Sequence, residues 1–161
     1  MPVFFYDILT PMRTGKTISQ GLTEITATWK GELTFVGQNA AGGTIQMGVL
    51  DGKPGIGPMQ LLLVAIAGCT GEDLVSILQK KRKKLANIQV QVSGKRADDY
   101  PMVWTHIHIT YLIWGEDIKA KEVEQAIELS ETKYCSVGLM LGKSSKITSE
   151  YRILKPGENA G

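Results

Sequence analysis

The stretch from Gly57 to Leu85, GPMQLLLVAIAGCTGEDLVSILQKKRKKL, restricts the possible folds more than any other part of the sequence. Pro58 suits a first helical position, where its missing N–H would have had no partner anyway. From Leu61 to Ala67 every residue is apolar. A helix with no polar face at any phase is a buried one, and the run is far shorter than the ~20 residues needed to span a bilayer. It therefore reads as a core helix. Two glycines then flank a cysteine in Gly68-Cys69-Thr70-Gly71. Glycine permits a kink or the close approach of another chain. Thr70 and Asp73, with Glu72 between them, have capping-box-like spacing, so the helix is expected to restart after the cysteine. Leu74, Val75, Ile77 and Leu78 then follow at amphipathic spacing. Lys80 to Lys84, five cations in a row, lie where the carbonyl end of a helix dipole favours them.

Around this helix the pattern is mostly that of strands. ITATWKGELTFVG, from residue 25, alternates, breaks at Lys30-Gly31-Glu32 and resumes at Leu33, a hairpin signal. Residues 37–43 are a turn and Thr44 to Val49 a third strand. Asp51 to Pro58, with three glycines and two prolines, reads as a loop without regular structure. Beyond the helix, Ile88, Val90 and Val92 alternate with polar residues. From Met102 to Trp114, Val103, Thr105, Ile107, Ile109, Tyr111 and Ile113 share one side, and Trp104, His106, His108, Thr110 and Leu112 the other. Asp117 to Glu131 returns to helical period, with Ile118, Val123, Ala126, Ile127 and Leu129 as its buried stripe. Lys133 to Ser144 is a short apolar helix ending near Gly142, and Lys146 to Leu154 a last strand. The order implies an α+β fold in a single domain, 1–161. Residues 1–22 form an N-terminal extension, packed through Phe4, Phe5 and Tyr6, and residues 155–161 a loose tail.

Composition narrows the function. A net charge of +2 gives no strong field for nucleic acid or acidic lipid, so neither is expected as a partner. The opening residues lack a signal-peptide pattern, which points to the cytoplasm. The two cysteines, 66 positions apart, are too distant for a local metal-binding pair. In a reducing compartment they read either as small buried hydrophobes or as a free, redox-active pair.

The segments PMQLLLVAIAGCTGEDLVSILQKKR and SETKYCSVGLMLGK, in this order, resemble the osmotically inducible protein C and organic hydroperoxide resistance (OsmC/Ohr) family, and within it the OsmC-like branch. The resemblance covers about residues 24 to 154. It implies an intertwined homodimer with central long helices wrapped by antiparallel sheets, which supplies the cover that an all-apolar helix needs. It also implies a peroxiredoxin-type, two-cysteine peroxidase that reduces organic hydroperoxides in oxidative or osmotic stress. Such an enzyme needs an external dithiol reductant but no metal or organic cofactor. Carried over, Cys69 is the attacking thiol and Cys135 the resolving one, and the chemistry agrees: peroxide reduction needs a thiolate, and a second thiol keeps it reversible. If the helix restarts at Thr70, Cys69 lies beside its positive end.

Two positions depart from the pattern. The family's peroxidases have a glutamate ten residues before the first cysteine, where this chain has Met59, with Gln60 beside it. These two are the candidate substrate-binding residues. The glutamate's arginine partner comes from the early hairpin, where this chain has Lys30-Gly31-Glu32. Lysine keeps the charge but lacks the planar fork. The departures support the alternative of a non-catalytic dimer that binds a small apolar molecule at the subunit interface. His106 and His108, two apart on one strand face, read as ordinary strand histidines, with no third metal ligand in view.

Overall fold

The computed structural model describes residues 22–160, so the side chains assigned to an N-terminal arm lie outside it. The described residues divide into two compact units, the first ending in sequence at Gly55 and the second beginning at Ile56.

The first unit is a three-stranded antiparallel sheet in the order β1 (Ile25–Gly31), β2 (Thr34–Asn39), β3 (Thr44–Met47). Its register pairs Ala27 with Gly37, Trp29 with Phe35 and Phe35 with Met47, so the apolar residues share a face. That face is largely uncovered: Trp29 is 63% exposed, and Ile25, Phe35 and Ile45 are exposed as well. The hairpin expected around Lys30-Gly31-Glu32 is present, with positive φ at Gly31 and Glu32. The following glycine- and proline-rich stretch was expected to be irregular. It contributes instead to a small antiparallel pair, β4 (Val49–Leu50) and β5 (Lys53–Pro54).

In the second unit α1 (Pro58–Lys80) leads into β6 (Lys84–Arg96) and β7 (Trp104–Glu116). These are followed by α2 (Ala120–Leu129), a π-helical turn over Ser130–Tyr134, α3 (Ser136–Leu141) and β8 (Lys146–Leu154). The sheet order is β6-β7-β8, antiparallel across the first pair and parallel across the second. A parallel pair needs a crossover, which the helices between β7 and β8 provide. The mixed helix–sheet architecture is the α+β class that the sequence implies.

The core lies between α1, α2 and one face of β7. Ile66, Leu74 and Leu78 of α1 meet Ile107, Ile109, Tyr111 and Ile113 of the central strand, with Val123 and Ala126 of α2. Helix α1 does not break at the glycines. It runs uninterrupted through Gly68 and Gly71, and Thr70 caps nothing: its hydroxyl donates back to the Ile66 carbonyl at 2.9 Å. Two interior glycines cost about 1 kcal/mol each relative to alanine, a cost that the packing of Ile66, Leu74 and Leu78 outweighs. Helix α1 is, by length and composition alone, long and apolar enough to cross a membrane. Here it is instead the core helix of a mixed fold. Its burial is one-sided, however. Leu62, Val64, Ala65 and Gly68 are exposed within the chain, Val64 to 49%.

The basic run also departs from expectation. The helix stops at Lys80, Arg82 turns the chain with φ of 58°, and Lys84 already begins β6. Two lysines of the run reach across to later elements: Lys83 pairs with Glu122 at 2.9 Å and donates to the Asp117 carbonyl, while Lys81 donates to Gln125. These contacts hold the start of α2 against the end of α1.

Along β7 the alternation holds from Ile107 to Ile113 but fails at its start. The β6–β7 register shifts between Lys95 and Arg96, which turns Trp104 away from the histidine face. Its indole is 9% exposed, donates to the Met59 carbonyl at 3.0 Å and lies over Gly94, where a Cβ would come within 2.7 Å of the ring. Two contacts reach the residues beyond β8. Trp114 donates to the Glu158 carbonyl at 2.6 Å, and Ala160 packs on the small cluster of Leu112, Trp114 and Leu154.

Candidate functional site

Cys69 and Asp73 are one turn apart on α1, so their side chains share a face. Cys135 comes from later in the chain, in the break between the π-helical turn and α3. It is the N-cap of α3, with φ −72° and ψ 92°. The break brings the second thiol to the helix: the Cys69, Asp73 and Cys135 donor atoms all lie within 4.8 Å of one another. They form the one group of three or more metal-capable side chains found among the described residues.

Ser130, fully buried, organises the cluster. Its hydroxyl donates to Asp73 Oδ2 at 2.8 Å, and its carbonyl accepts the Cys135 backbone N–H at 2.8 Å. One residue thus fixes both the carboxylate and the segment that carries the thiol.

The two thiols differ in setting. Cys135 is fully buried and Cys69 only half-buried. Burial, then the hydrogen bond to Cys69, push the Cys135 thiol up to about 12 from an ordinary 9.0. The Gly138 backbone N–H, 3.2 Å from Cys135 Sγ, pulls the other way but more weakly. At neutral pH Cys135 is therefore a protonated thiol able to donate to its neighbour. Cys69 sits in the middle of α1, so the positive helix end expected beside it is absent.

A cavity of about 470 Å³ opens on the Cys135 side, bounded by Ile66, Thr70, Glu131, Lys143 and Ser145. Cys69 is not part of its wall. Glu131 Oε1 and the Tyr111 hydroxyl are buried with no hydrogen-bond partner among the described residues.

The candidate substrate-binding residues are placed elsewhere. Gln60 accepts the Gly57 N–H at 2.8 Å and so caps the start of α1. Met59 packs at the edge of the core. Ten residues of continuous helix, roughly 15 Å at 1.5 Å per residue, separate Met59 from Cys69. The histidines lie on the outer sheet face, where His108 bonds Thr148 at 2.8 Å and approaches Glu150 at 3.6 Å. Sequence reasoning missed Asp73 as a neighbour of the thiols. The i, i+4 spacing from Cys69 was the available signal, but Asp73 was read with Thr70 as a cap.

A long apolar helix laid on a mixed sheet, with one thiol in the helix and a second brought to it by a crossover, defines a paired-cysteine α+β protein. The OsmC-like protein family model matches residues 50–150. The chain belongs to the OsmC-like family. It is 39% identical over 126 residues to protein YhfA of Escherichia coli K12, across 78% of this chain and 94% of that one. A hypothetical protein from Aquifex aeolicus superposes with a TM-score of 0.75 at 33% identity, covering 84% of this chain and 98% of the other. The organic hydroperoxide resistance protein OhrB of Bacillus subtilis shares the fold at a TM-score of 0.57 and 17% identity, over 81% and 98% of the two chains.

Proposed function

We propose that the protein is a two-cysteine peroxidase for organic hydroperoxides, with Cys69 attacking and Cys135 resolving. The observation that carries this reading is the meeting of two thiols, 66 positions apart, within 4.8 Å and in unequal settings. The Cys69 thiolate attacks the terminal peroxide oxygen, the O–O bond breaks, and the alkoxide leaves as an alcohol after taking up a proton. Cys69 becomes a sulfenic acid. The Cys135 sulfur then displaces hydroxide, which leaves as water, and forms the disulfide. An external dithiol restores both thiols by exchange. Membership of the OsmC-like family, whose fold is shared by organic hydroperoxide resistance proteins, supports the assignment.

The working unit in this proposal is a cytoplasmic homodimer, in which a second copy completes one OsmC-like domain in each chain. Two uncovered apolar surfaces favour it: the Trp29–Phe35 face of the first unit, and Leu62, Val64 and Ala65 on α1. Ala65→Asp is then expected to leave a folded chain but shift it to a 17.6 kDa monomer in light scattering. A dimer that tolerated this charge would count against α1 as the interface.

For the chemistry, stoichiometric cumene hydroperoxide should consume two thiols per chain and create one intramolecular disulfide. Cys69→Ser should abolish consumption, because a hydroxyl is a far poorer nucleophile than a thiolate. Consumption that survived Cys69→Ser would sink the mechanism. The cavity gives the ligand-binding reading an observation of its own, since its wall includes Cys135 and not Cys69. A protein inert to hydroperoxide that retained an apolar molecule there would favour that reading.

A further inference from the structure

We infer that Cys69, Asp73 and Cys135 form a binding site for a thiophilic divalent cation, zinc in the first instance. The site uses the same thiols as the peroxidase reading but does not depend on turnover.

The donor set is the first argument. Two cysteine sulfurs and one carboxylate oxygen are zinc ligands, and this combination selects borderline-soft metals over magnesium or calcium. Zinc–sulfur and zinc–oxygen bonds of about 2.3 and 2.1 Å place tetrahedral donors roughly 3.5–3.8 Å apart. Donor atoms already within 4.8 Å of one another need to close by ~1 Å at most.

Preparation of the ligands is the second. Metal-bound carboxylates are normally oriented by an outer hydrogen bond, and Asp73 has one from buried Ser130 at 2.8 Å. Cys69 and Asp73 are fixed by one helix face. Cys135 belongs to a non-helical break, so it is the donor with room to adjust.

Charge is the third. Neither of the ion pairs found among the described residues involves Asp73. Bound as two thiolates and a carboxylate, the donors bring three negative charges to the ion. A divalent cation would neutralise most of that charge, and three protein ligands leave a fourth position for water or a small molecule.

Binding must displace the thiol protons, up to two per metal. It also ties up both sulfurs. Hydroperoxide acting on the loaded site would reduce ROOH to ROH and water, consume two protons, join the sulfurs and release the metal. Metal and disulfide thus exclude each other.

The test is a titration of the reduced, metal-free full chain with cadmium, followed by the ultraviolet thiolate-to-metal charge-transfer band, and with zinc against a chromogenic chelator. One ion per chain is expected, with release of up to two protons and protection of both thiols from alkylation until excess chelator is added. Cys69→Ser and Cys135→Ser should each weaken binding at least a hundredfold. Ser130→Ala should weaken it about tenfold, as outer-shell changes do. Protein oxidised to the disulfide should give no band. Absence of the band in reduced protein, or an affinity unchanged in Cys135→Ser, would overturn the site. Because wild-type thiol protection is read directly, the result stands even if a variant misfolds. Loss of the metal site would leave the two-thiol peroxide stoichiometry intact, and failure of peroxide consumption would leave the titration intact, so the two readings fail separately.

Discussion

Cys69 and Cys135 meet at one point but are held in opposite ways. Cys69 sits inside 23 residues of unbroken helix, its backbone fixed by the hydrogen-bond ladder on both sides. Cys135 sits where the chain leaves one irregular turn and starts a six-residue helix, anchored through Ser130 and Gly138. A disulfide needs sulfurs about 2.05 Å apart, so one side must move. The contrast assigns the movement to the Cys135 segment and the fixed reference to α1.

The largest expected difference is in reactivity. A thiol raised from 9.0 to about 12 holds roughly a thousandfold less thiolate at pH 8 than an ordinary one. Iodoacetamide should therefore label Cys69 in native protein long before Cys135, as read by peptide mass spectrometry. Equal labelling would dissolve the contrast. A smaller effect concerns stability. An unfolded chain loses the Cys135 proton near 9.0, whereas the folded one keeps it to about 12. Over that window the unfolded state binds fewer protons, so stability falls as pH rises. Tyr111, raised from 10.0 to about 12 by burial, adds to the fall. Cys135→Ala should flatten the decline in urea midpoint between pH 9 and 10, leaving the tyrosine contribution. The smallest effect is at Gly138, where a Cβ would lie 3.2 Å from Cys135 Sγ. Gly138→Ala should slow disulfide formation a few-fold, because the added methyl crowds the sulfur that has to move. Stopped-flow thiol loss with wild-type speed would show that the segment moves some other way.

Periodic features were legible in the sequence. The buried face of β7 from Ile107 to Ile113 and the Val123, Ala126, Ile127 stripe of α2 follow directly from alternation and helical spacing. What was hidden depended on tertiary choices. Thr70 and Asp73 carry a capping signal, but the packing around Ile66 and Leu74 keeps the helix intact, and Asp73 turns to a serine 57 residues away. Trp104 was assigned to the wrong face because a single shift in strand register is invisible to a period-two pattern. The all-apolar run from Leu61 to Ala67 was read as buried on every side, yet one chain covers only part of it.

The parallel seam between β7 and β8 has a consequence in time. Cys69 and the helix around it can form from contiguous sequence, but Cys135 lies on the crossover that leads from β7 to β8 and reaches its place only when that later segment has folded back onto α1. Contacts of long sequence separation are the slow ones to form. The thiol pair is accordingly among the last features to be assembled, and a nascent or partly folded chain holds two separated, ordinary cysteines. The unequal pair exists only in finished molecules.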